Sequence, residues 1–216
     1  MTTRVILEPL RVRRLGVVDY DEALALQTEL FERVGESWLL LLEHPHVYTL
    51  GVRARPEHVL VDPAQVGATL VRTNRGGDVT YHGPGQLVGY PILDVPFRPG
   101  AVSTYVASVE QVVINALTDV GLDGAGREPG YAGVWVSSRK IAAIGVRLTR
   151  GRSMHGFAIN VDPDLMMFEH IVPCGLHGLA VTSLAAEGVA ASIDEVADAI
   201  EQRASEQWAI GMRVPA

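Results

Sequence analysis

The chain has little cysteine and almost no lysine. Its 216 residues include one cysteine, Cys174, and its 18 basic side chains are 17 arginines and a single lysine, Lys140. One cysteine cannot form an internal disulfide or a zinc site with several thiolates, which excludes a secreted disulfide scaffold. The composition is typical of a protein in a reducing compartment, and we expect the cytoplasm.

Long hydrophobic runs are also missing. No apolar run reaches the roughly 18 residues of a membrane-spanning helix, and the first residues, MTTRVILEPLRVRR, lack the apolar core of a signal peptide. The net charge of −7 and the pI near 5.5 argue against broad binding to nucleic acid, which requires clustered cations. We therefore expect a soluble protein that binds neither membrane nor nucleic acid.

Helices and strands are both predicted from the pattern of apolar residues. Asp19 begins a helix that ends near Gly35, Ser103 begins a second helix, and Ser192 with Glu195 forms a capping box for a third that runs to about Gly211. Strands are predicted at residues 37–43, 69–73, 87–93, 132–136, 140–149 and 154–161.

Short polar turns are predicted at residues 137–139 and 150–153. Two strands joined by such a short turn must be antiparallel. The predicted fold class is α+β, with mixed, largely antiparallel sheets and flanking helices. Hydrophobic residues make up 48% of the chain, and residues 1–216 are expected to form a single domain.

A glycine-rich segment at residues 75–86, RGGDVTYHGPGQ, lies between two predicted strands. Glycines let backbone N–H groups approach a ligand closely. The spacing of Gly83, Gly85 and Gly89 differs from a dinucleotide-binding fingerprint and leads into a strand rather than a helix. The alternative is a turn-rich hairpin without a ligand, and His82 is equally compatible with a ligand-orienting donor or a turn residue.

Two histidines, His44 and His46, flank a proline and could project from one side of an extended segment. No third ligand is spaced to complete a metal site, and neither HExxH nor a cysteine pair is present. A structural role is favoured for both, and no metal is expected.

If the chain uses a thiol as a nucleophile, the thiol is that of Cys174, the one cysteine present. The G-x-S-x-G motif, which would indicate a serine nucleophile, is absent. A lone cysteine is often a small buried hydrophobe. The presence of Lys140 favours a reactive Cys174. A lysine ammonium can give up its proton, which an arginine guanidinium cannot, and its positive charge stabilises the thiolate of a nearby cysteine. Chance retention of one lysine remains the competing explanation.

Five segments closely resemble the octanoyltransferases of the lipoate pathway, which are related in fold to lipoate-protein and biotin-protein ligases. They are EHPHVYTLG at 43–51, RGGDVTYHGPGQLVGYP at 75–91, KIAAIGVR at 140–147, HGFAINVDPDLMMFEHIVPCG at 155–175 and VTSL at 181–184. The segments occur in the family's order and span most of the chain.

The resemblance implies a ligase-like catalytic domain that transfers an octanoyl or lipoyl group from acyl carrier protein to a lysine of a lipoyl domain. The expected acceptors are subunits of 2-oxo acid dehydrogenases and the glycine-cleavage H protein, and the expected enzyme is a monomer that needs no ATP, metal or other cofactor. Cys174 would carry the acyl group as a thioester, and Lys140 would lower the pKa of its thiol. The substrate-binding residues implied by the resemblance are Arg75, Gly76, Gly77, Asp78, Val79, Thr80, Tyr81, His82, Ala143, Ile144, Gly145, Gly156, Phe157 and Ala158.

Two points stay open in the sequence, and one expectation about the acyl chain stands beside them. In a regular strand Lys140 and Ala143 point to opposite faces, so either Ala143 contributes its backbone or a bulge intervenes. Thr80, Tyr81 and Gly83 are expected to line an acyl slot. An acidic carrier protein needs a local cationic face, for which the sequence offers two equal candidates: Arg147, Arg150 and Arg152, or Arg11, Arg13 and Arg14.

Overall fold

The computed structural model describes residues 9–96, 98–172 and 180–208. Within these ranges the helices are α1 (Tyr20–Phe31), α2 (Ala101–Asp119) and α3 (Ile193–Trp208). The strands are β1 (Arg11–Val17), β2 (Trp38–Glu43), β3 (Val47–Leu50), β4 (Thr69–Arg72), β5 (Val79–His82), β6 (Gln86–Ile92), β7 (Ala125–Glu128), β8 (Tyr131–Val136), β9 (Arg139–Thr149) and β10 (Arg152–Asn160).

Two sheets form the framework. The larger has the order β1-β2-β6-β10-β9-β8-β7, and the smaller has the order β4-β3-β5. Only the β1–β2 and β3–β4 pairs are parallel among these neighbours. The α+β class with mixed, largely antiparallel sheets is therefore confirmed.

The large sheet is buried on both faces, which explains the continuous apolar run in β2. Leu39 and Leu41 point into the core under α2 and α3, whereas Leu40 and Leu42 point into a second core with α1. Alternating side chains of a strand lie on opposite faces, so both faces of this strand must be apolar. A third apolar cluster, which includes Tyr48, Tyr81 and Phe168, packs beside the small sheet.

The predicted helices form with shifted ends. Helix α1 ends at Phe31 rather than at Gly35, and Val34 is exposed. Helix α2 begins at Ala101, two residues before Ser103, because Gly100 takes a left-handed conformation and caps the helix. The capping box before α3 is confirmed, since Ser192 Oγ accepts from the Glu195 N–H and the Glu195 carboxylate accepts from the Ser192 N–H.

The expected hairpin turns are also present. Ser137 between β8 and β9 and Arg150 between β9 and β10 both have positive φ, as tight antiparallel connections require. Strands β1, β3, β5 and β7 were not predicted. Among the described helices, none combines the length and apolar character needed to cross a bilayer.

Candidate active site

A narrow cavity of about 60 Å³ opens where β5 and the glycine-rich loop before it face β9 and β10. Its walls come from segments that are far apart in the sequence. The lining residues are Tyr20, Arg75, Gly76, Gly77, Asp78, Val79, Thr80, His82, Tyr90, Lys140, Ala143, Ile144, Gly145, His155, Gly156, Phe157 and Ala158. Three of the predicted substrate-binding segments thus meet around one space, together with Lys140.

The glycine-rich loop is held to the two sheets by its backbone and by Arg75. The Gly76 N–H donates to the Val146 carbonyl in β9 at 2.9 Å. The buried Arg75 donates from Nε and Nη2 to Thr49 Oγ1 in β3, at 3.0 and 2.8 Å, and from Nη1 to the Gly76 carbonyl. Charged hydrogen bonds of this kind are strong, so Arg75 fixes the loop as well as lining the cavity.

Glycine is needed where the loop and strands approach one another most closely. A Cβ on Gly145 would lie 2.9 Å from the Gly76 carbonyl oxygen. A Cβ on Gly156 would lie only 2.1 Å from the Gly89 carbonyl oxygen in β6. These predicted substrate-binding glycines therefore have a packing role whatever they contact in a ligand.

A bulge in β9 places Lys140 on the cavity. Val134 and Trp135 of β8 pair with Ala142 and Lys140, so Ile141 is an extra residue in β9. Ile141 and Ala142 both lie in the core under α2, and Lys140 turns to the other side of the sheet. The bulge explains how Lys140 and Ala143 both line the cavity.

Lys140 is 6% exposed, and its Nζ lies 4.7 Å from the centre of the Trp135 ring. Such a cation–π contact stabilises an ammonium that has lost much of its water. The Lys140 N–H donates to the Ala180 carbonyl, and its carbonyl accepts from the Thr182 N–H. The chain therefore passes beside Lys140 directly after residues 173–179.

Cys174 lies outside the described residues. The preceding segment is anchored where the Val172 N–H donates to the His58 carbonyl at 2.8 Å. His58 is itself bonded to the cavity residue Asp78 through Nδ1 and Oδ2 at 2.7 Å. The described residues on both sides of the Cys174 segment are thus joined to the cavity wall.

The rings of Tyr20 and Tyr90 line the cavity, and His44, which is not among the lining residues, bonds to Tyr90. His44 donates from Nδ1 to the Val18 carbonyl and accepts from the Tyr90 hydroxyl at Nε2. Burial raises the pKa of Tyr20 and Tyr90, and it lowers the pKa of His44. These rings are therefore uncharged near pH 7, and their faces suit an apolar ligand.

His82 is buried, lines the cavity and pairs through Nδ1 with Gln86 Oε1 at 2.7 Å. Burial, helped by His44 and Arg75, lowers its pKa to about 3. Because an amide oxygen can only accept, Nδ1 carries the proton and Nε2 the lone pair. His82 is thus available to accept a hydrogen bond at Nε2 rather than to donate one.

His155 is a second neutral imidazole at the cavity. Its Nε2 donates to Asn74 Oδ1 at 2.7 Å, and its N–H donates to Gln27 Oε1 at 2.9 Å. Burial, with smaller effects of Arg75 and Arg147, lowers its pKa to about 3. The residue has a φ of 56° and a buried Nδ1 without a hydrogen-bond partner among the described residues.

Not every residue singled out from the sequence reaches the cavity. Tyr81 is fully buried beside Tyr48 and Phe168, and its hydroxyl bonds to His46 Nδ1 at 2.7 Å. Gly83 packs against the Tyr81 hydroxyl and does not line the cavity either. In contrast, Tyr20, Tyr90 and His155 line the cavity although they were not predicted to, because their positions depend on contacts between distant segments.

The two histidines of the HPH motif bond to different partners, His44 to Tyr90 and His46 to Tyr81. In the part of the chain that the structure describes, no group of three or more histidine, cysteine or acidic side chains could hold a metal ion. The structural role that the sequence favours for this motif is the one that these bonds support.

The comparisons with known proteins give the class of this catalytic domain and then its family. Residues 19–205 match the lipoyl protein ligase A/B catalytic domain. The octanoyltransferase of Solibacter usitatus (strain Ellin6076) is 52% identical over 194 residues, which cover 87% of each chain. The chain therefore belongs to the lipoyl protein ligase A/B family and, within it, to the octanoyltransferases.

Solved structures show the same fold at much lower identity. A bipartite lipoate protein ligase from Thermoplasma acidophilum superposes with a TM-score of 0.78 at 22% identity, covering 93% of this chain and 84% of that one. The biotin protein ligase from Leishmania major gives a TM-score of 0.56 at 12% identity, with 93% and 76% coverage. The expected likeness in fold to both kinds of ligase is confirmed.

Proposed function

We propose that this acyltransferase takes an octanoyl group from octanoyl-acyl carrier protein onto Cys174 and passes it to the ε-amine of a lysine on a lipoyl domain. Octanoyl transfer in protein lipoylation is the activity of its family. The carrier-protein donor, the thioester on Cys174 and the part played by Lys140 are the elements that we add as proposals.

The observation that best supports this proposal is the contrast between the cavity wall and Lys140. Much of the lining is glycine, alanine and neutral rings, the charged Arg75 and Asp78 are bonded to Thr49 and His58, and Lys140 is the one lysine of the chain. Burial of an acyl chain in such a space yields about 0.8 kcal/mol per methylene. The adjacent ammonium is suited to proton transfer at the thioester end of that chain.

In the first step, Lys140 favours the thiolate of Cys174, which attacks the thioester carbonyl of the donor. A new C–S bond forms to Cys174, the C–S bond to the pantetheine breaks, and the pantetheine sulfur leaves as a thiolate that takes a proton from the Lys140 ammonium, which leaves Lys140 as a neutral amine. In the second step, the acceptor amine attacks the acyl carbon. The C–N bond forms, the C–S bond to Cys174 breaks, and Lys140 takes the proton that the amine loses.

Energetics favour this route without ATP. Exchange of one thioester for another is nearly isoenergetic, and amide formation from a thioester is downhill. We accordingly propose that neither ATP nor a metal takes part. Backbone N–H groups near the acyl carbon would stabilise the oxyanion formed in each step.

We propose that residues 1–216 act as one catalytic domain and that a single copy is the working unit. Proposed acceptors are lipoyl domains of 2-oxo acid dehydrogenase subunits and the glycine-cleavage H protein. We place the reaction in the cytoplasm, where a lone cysteine stays reduced.

The test mixes the protein with octanoyl-acyl carrier protein and a lipoyl domain in the absence of ATP, and follows the mass of the lipoyl domain. The proposal predicts the gain of one octanoyl group on its lysine. Labelling only with free octanoate and ATP indicates a ligase, and release of free octanoate without labelling indicates a thioesterase. Noncovalent retention of the donor without turnover indicates an acyl-binding module, and each of these three outcomes contradicts the proposal.

A further inference from the structure

Eight of the 15 arginines in the described residues form ion pairs with carboxylates. Ion pairs join the following arginines to acidic side chains: Arg11, Arg14, Arg33, Arg127, Arg139, Arg150, Arg152 and Arg203. Both arginine clusters suggested by the sequence are affected. Arg11 pairs with Glu36 and Arg14 with Glu201, which leaves Arg13 as the one member of that group without an ion pair to a described carboxylate.

The second cluster is not a cationic surface either. Arg152 is 2% exposed and pairs with Asp94, so it belongs to the interior. Arg150 pairs with Glu32 at 2.5 Å and lies over the Phe31 ring. Of this cluster only Arg147 forms no ion pair with a carboxylate of the described residues.

Arg147 belongs to a different group, which surrounds the glycine-rich loop. We call Arg53, Arg72 and Arg147 the arginine rim. The Arg53 N–H donates to the Gly77 carbonyl at 3.0 Å, and Arg147 follows Val146, whose carbonyl accepts from the Gly76 N–H. The Arg53 backbone thus bonds directly to a residue of the cavity wall, and Arg147 follows a residue that does so.

The position of Arg72 follows from its neighbour Thr73. The Thr73 hydroxyl accepts a hydrogen bond from Tyr20, which lines the cavity, and the Thr73 N–H donates to the Leu50 carbonyl in β3. Arg53 and Arg72 are exposed, and Arg147 is half-buried. Within residues 9–96, 98–172 and 180–208, no carboxylate forms an ion pair with any of the three.

The cations at the cavity outnumber its carboxylates. Asp78, which bonds to His58 Nδ1 and to the Val79 N–H, is the one acidic residue among the lining residues, whereas Arg75 and Lys140 line the cavity beside the arginine rim. In the turn that follows Arg53, the exposed Arg55 and Glu57 offset each other. The mouth of the cavity is therefore locally cationic on a chain whose net charge is −7.

From this distribution we propose that the arginine rim is the docking surface for the acidic carrier protein that delivers the octanoyl thioester, a role that rests on the proposed function. An acidic partner is repelled by the net charge of this chain, so productive encounters must use a local cationic surface. A surface at the mouth of the cavity also brings the thioester arm of the partner directly to its site of reaction.

The experiment compares donors that carry the same thioester. Arg53→Glu is tested against Arg13→Glu, which makes the same charge change at an exposed position of β1. Each variant is assayed with octanoyl-acyl carrier protein, octanoyl-phosphopantetheine and octanoyl-pantetheine. Two further variants grade the change in charge. Arg53→Gln removes one positive charge, and the double variant Arg53→Glu with Arg72→Glu reverses two.

The proposal predicts that Arg53→Glu raises the KM for octanoyl-acyl carrier protein by about fivefold or more, as expected when a steering charge is reversed. Rates with both small donors should stay within about twofold of wild type, and Arg13→Glu should behave as wild type with all three. Added salt should reduce the difference between wild type and Arg53→Glu, because exposed charges are screened over about 10 Å at 0.1 M.

Three results would overturn the arginine rim as the donor surface. They are an unchanged KM for the carrier protein in the double variant, an equal loss with octanoyl-phosphopantetheine, and an effect confined to the KM for the acceptor domain. Failure of the proposed function looks different, because wild type would then transfer the acyl group from none of the three donors.

Discussion

Lys140 and Ala142 are two residues apart in one strand and lie on opposite sides of the sheet. Ala142 packs in the core under α2, whereas Lys140 lines the cavity. Residues two apart normally share a face, and the extra residue Ile141 reverses this relationship. Gly133, with a φ of 132°, leaves room for the lysine stem, because a Cβ there would lie 3.1 Å from Lys140 Cε.

The proton-transfer role of Lys140 predicts a specific defect in Lys140→Arg. The guanidinium keeps the positive charge but cannot release a proton near neutral pH. We expect amide formation in a single turnover to slow by about 100-fold or more, the usual contribution of a positioned general base. Quenched samples analysed by intact mass follow acyl-enzyme and acceptor together.

Arg139→Lys is the matched control, since it makes the reverse exchange at the neighbouring exposed residue. It should leave both steps near wild type. Near-normal amide formation by Lys140→Arg would show that positive charge alone is sufficient, and the proton-transfer role would then be wrong.

The buried histidines predict a loss of stability in mild acid. His82 and His155 have folded-state pKa values of about 3, below the ordinary value near 6.5. The folded state therefore binds fewer protons, and its stability is complete above about pH 6.5 and declines as the pH falls towards 3. Between pH 7 and 5 we expect a loss of about 2 kcal/mol per histidine in the free energy of unfolding.

Urea denaturation of wild type and His155→Asn at pH 7, 6 and 5 measures this effect. Asparagine tolerates the left-handed conformation of this position, so the variant should fold and show a shallower dependence on pH. His170→Asn, at the half-buried His170, controls at pH 7 for the general effect of a histidine-to-asparagine exchange on stability. Identical slopes for wild type and His155→Asn would contradict the assignment of a neutral buried imidazole.

Gly156→Ala is predicted to destabilise the fold by about 2–3 kcal/mol, because overpacking against backbone cannot be relieved by a rotamer change. The added Cβ would meet the Gly89 carbonyl oxygen at 2.1 Å and Pro91 Cδ at 2.6 Å. In Gly126→Ala the added Cβ meets no atom within 4 Å, which makes this variant the control. Loss of acyl binding at unchanged thermal stability in Gly156→Ala would instead indicate that Gly156 acts mainly by contacting the substrate.

Much of the fold could be predicted because local patterns and tertiary packing agree. The apolar run of β2 and the capping box of α3 are examples in which each local signal matches the final structure. Strand β1 escaped prediction because Arg13 and Arg14 interrupt its apolar residues. Strand β5 was not predicted because it lies inside the glycine-rich segment, with irregular residues on both of its sides.

The candidate site could be predicted in part, because some of its residues belong to sequence motifs. Residues of the glycine-rich loop and of β9 and β10 could be named from motifs, and the structure brings them around one cavity. Tyr20 reaches the cavity from α1, and its position depends on contacts that no local pattern encodes. The bulge at Ile141 was one of two open explanations, and only the strand register decides between them.

Intact mass of the protein itself after mixing with octanoyl-acyl carrier protein, without an acceptor, is the most direct test of the central claim. The account predicts that wild type gains one octanoyl group, that Cys174→Ala gains none, and that the wild-type adduct disappears when a lipoyl domain is added. An adduct that persists in Cys174→Ala, or normal transfer to the acceptor by that variant, would contradict a thioester on Cys174.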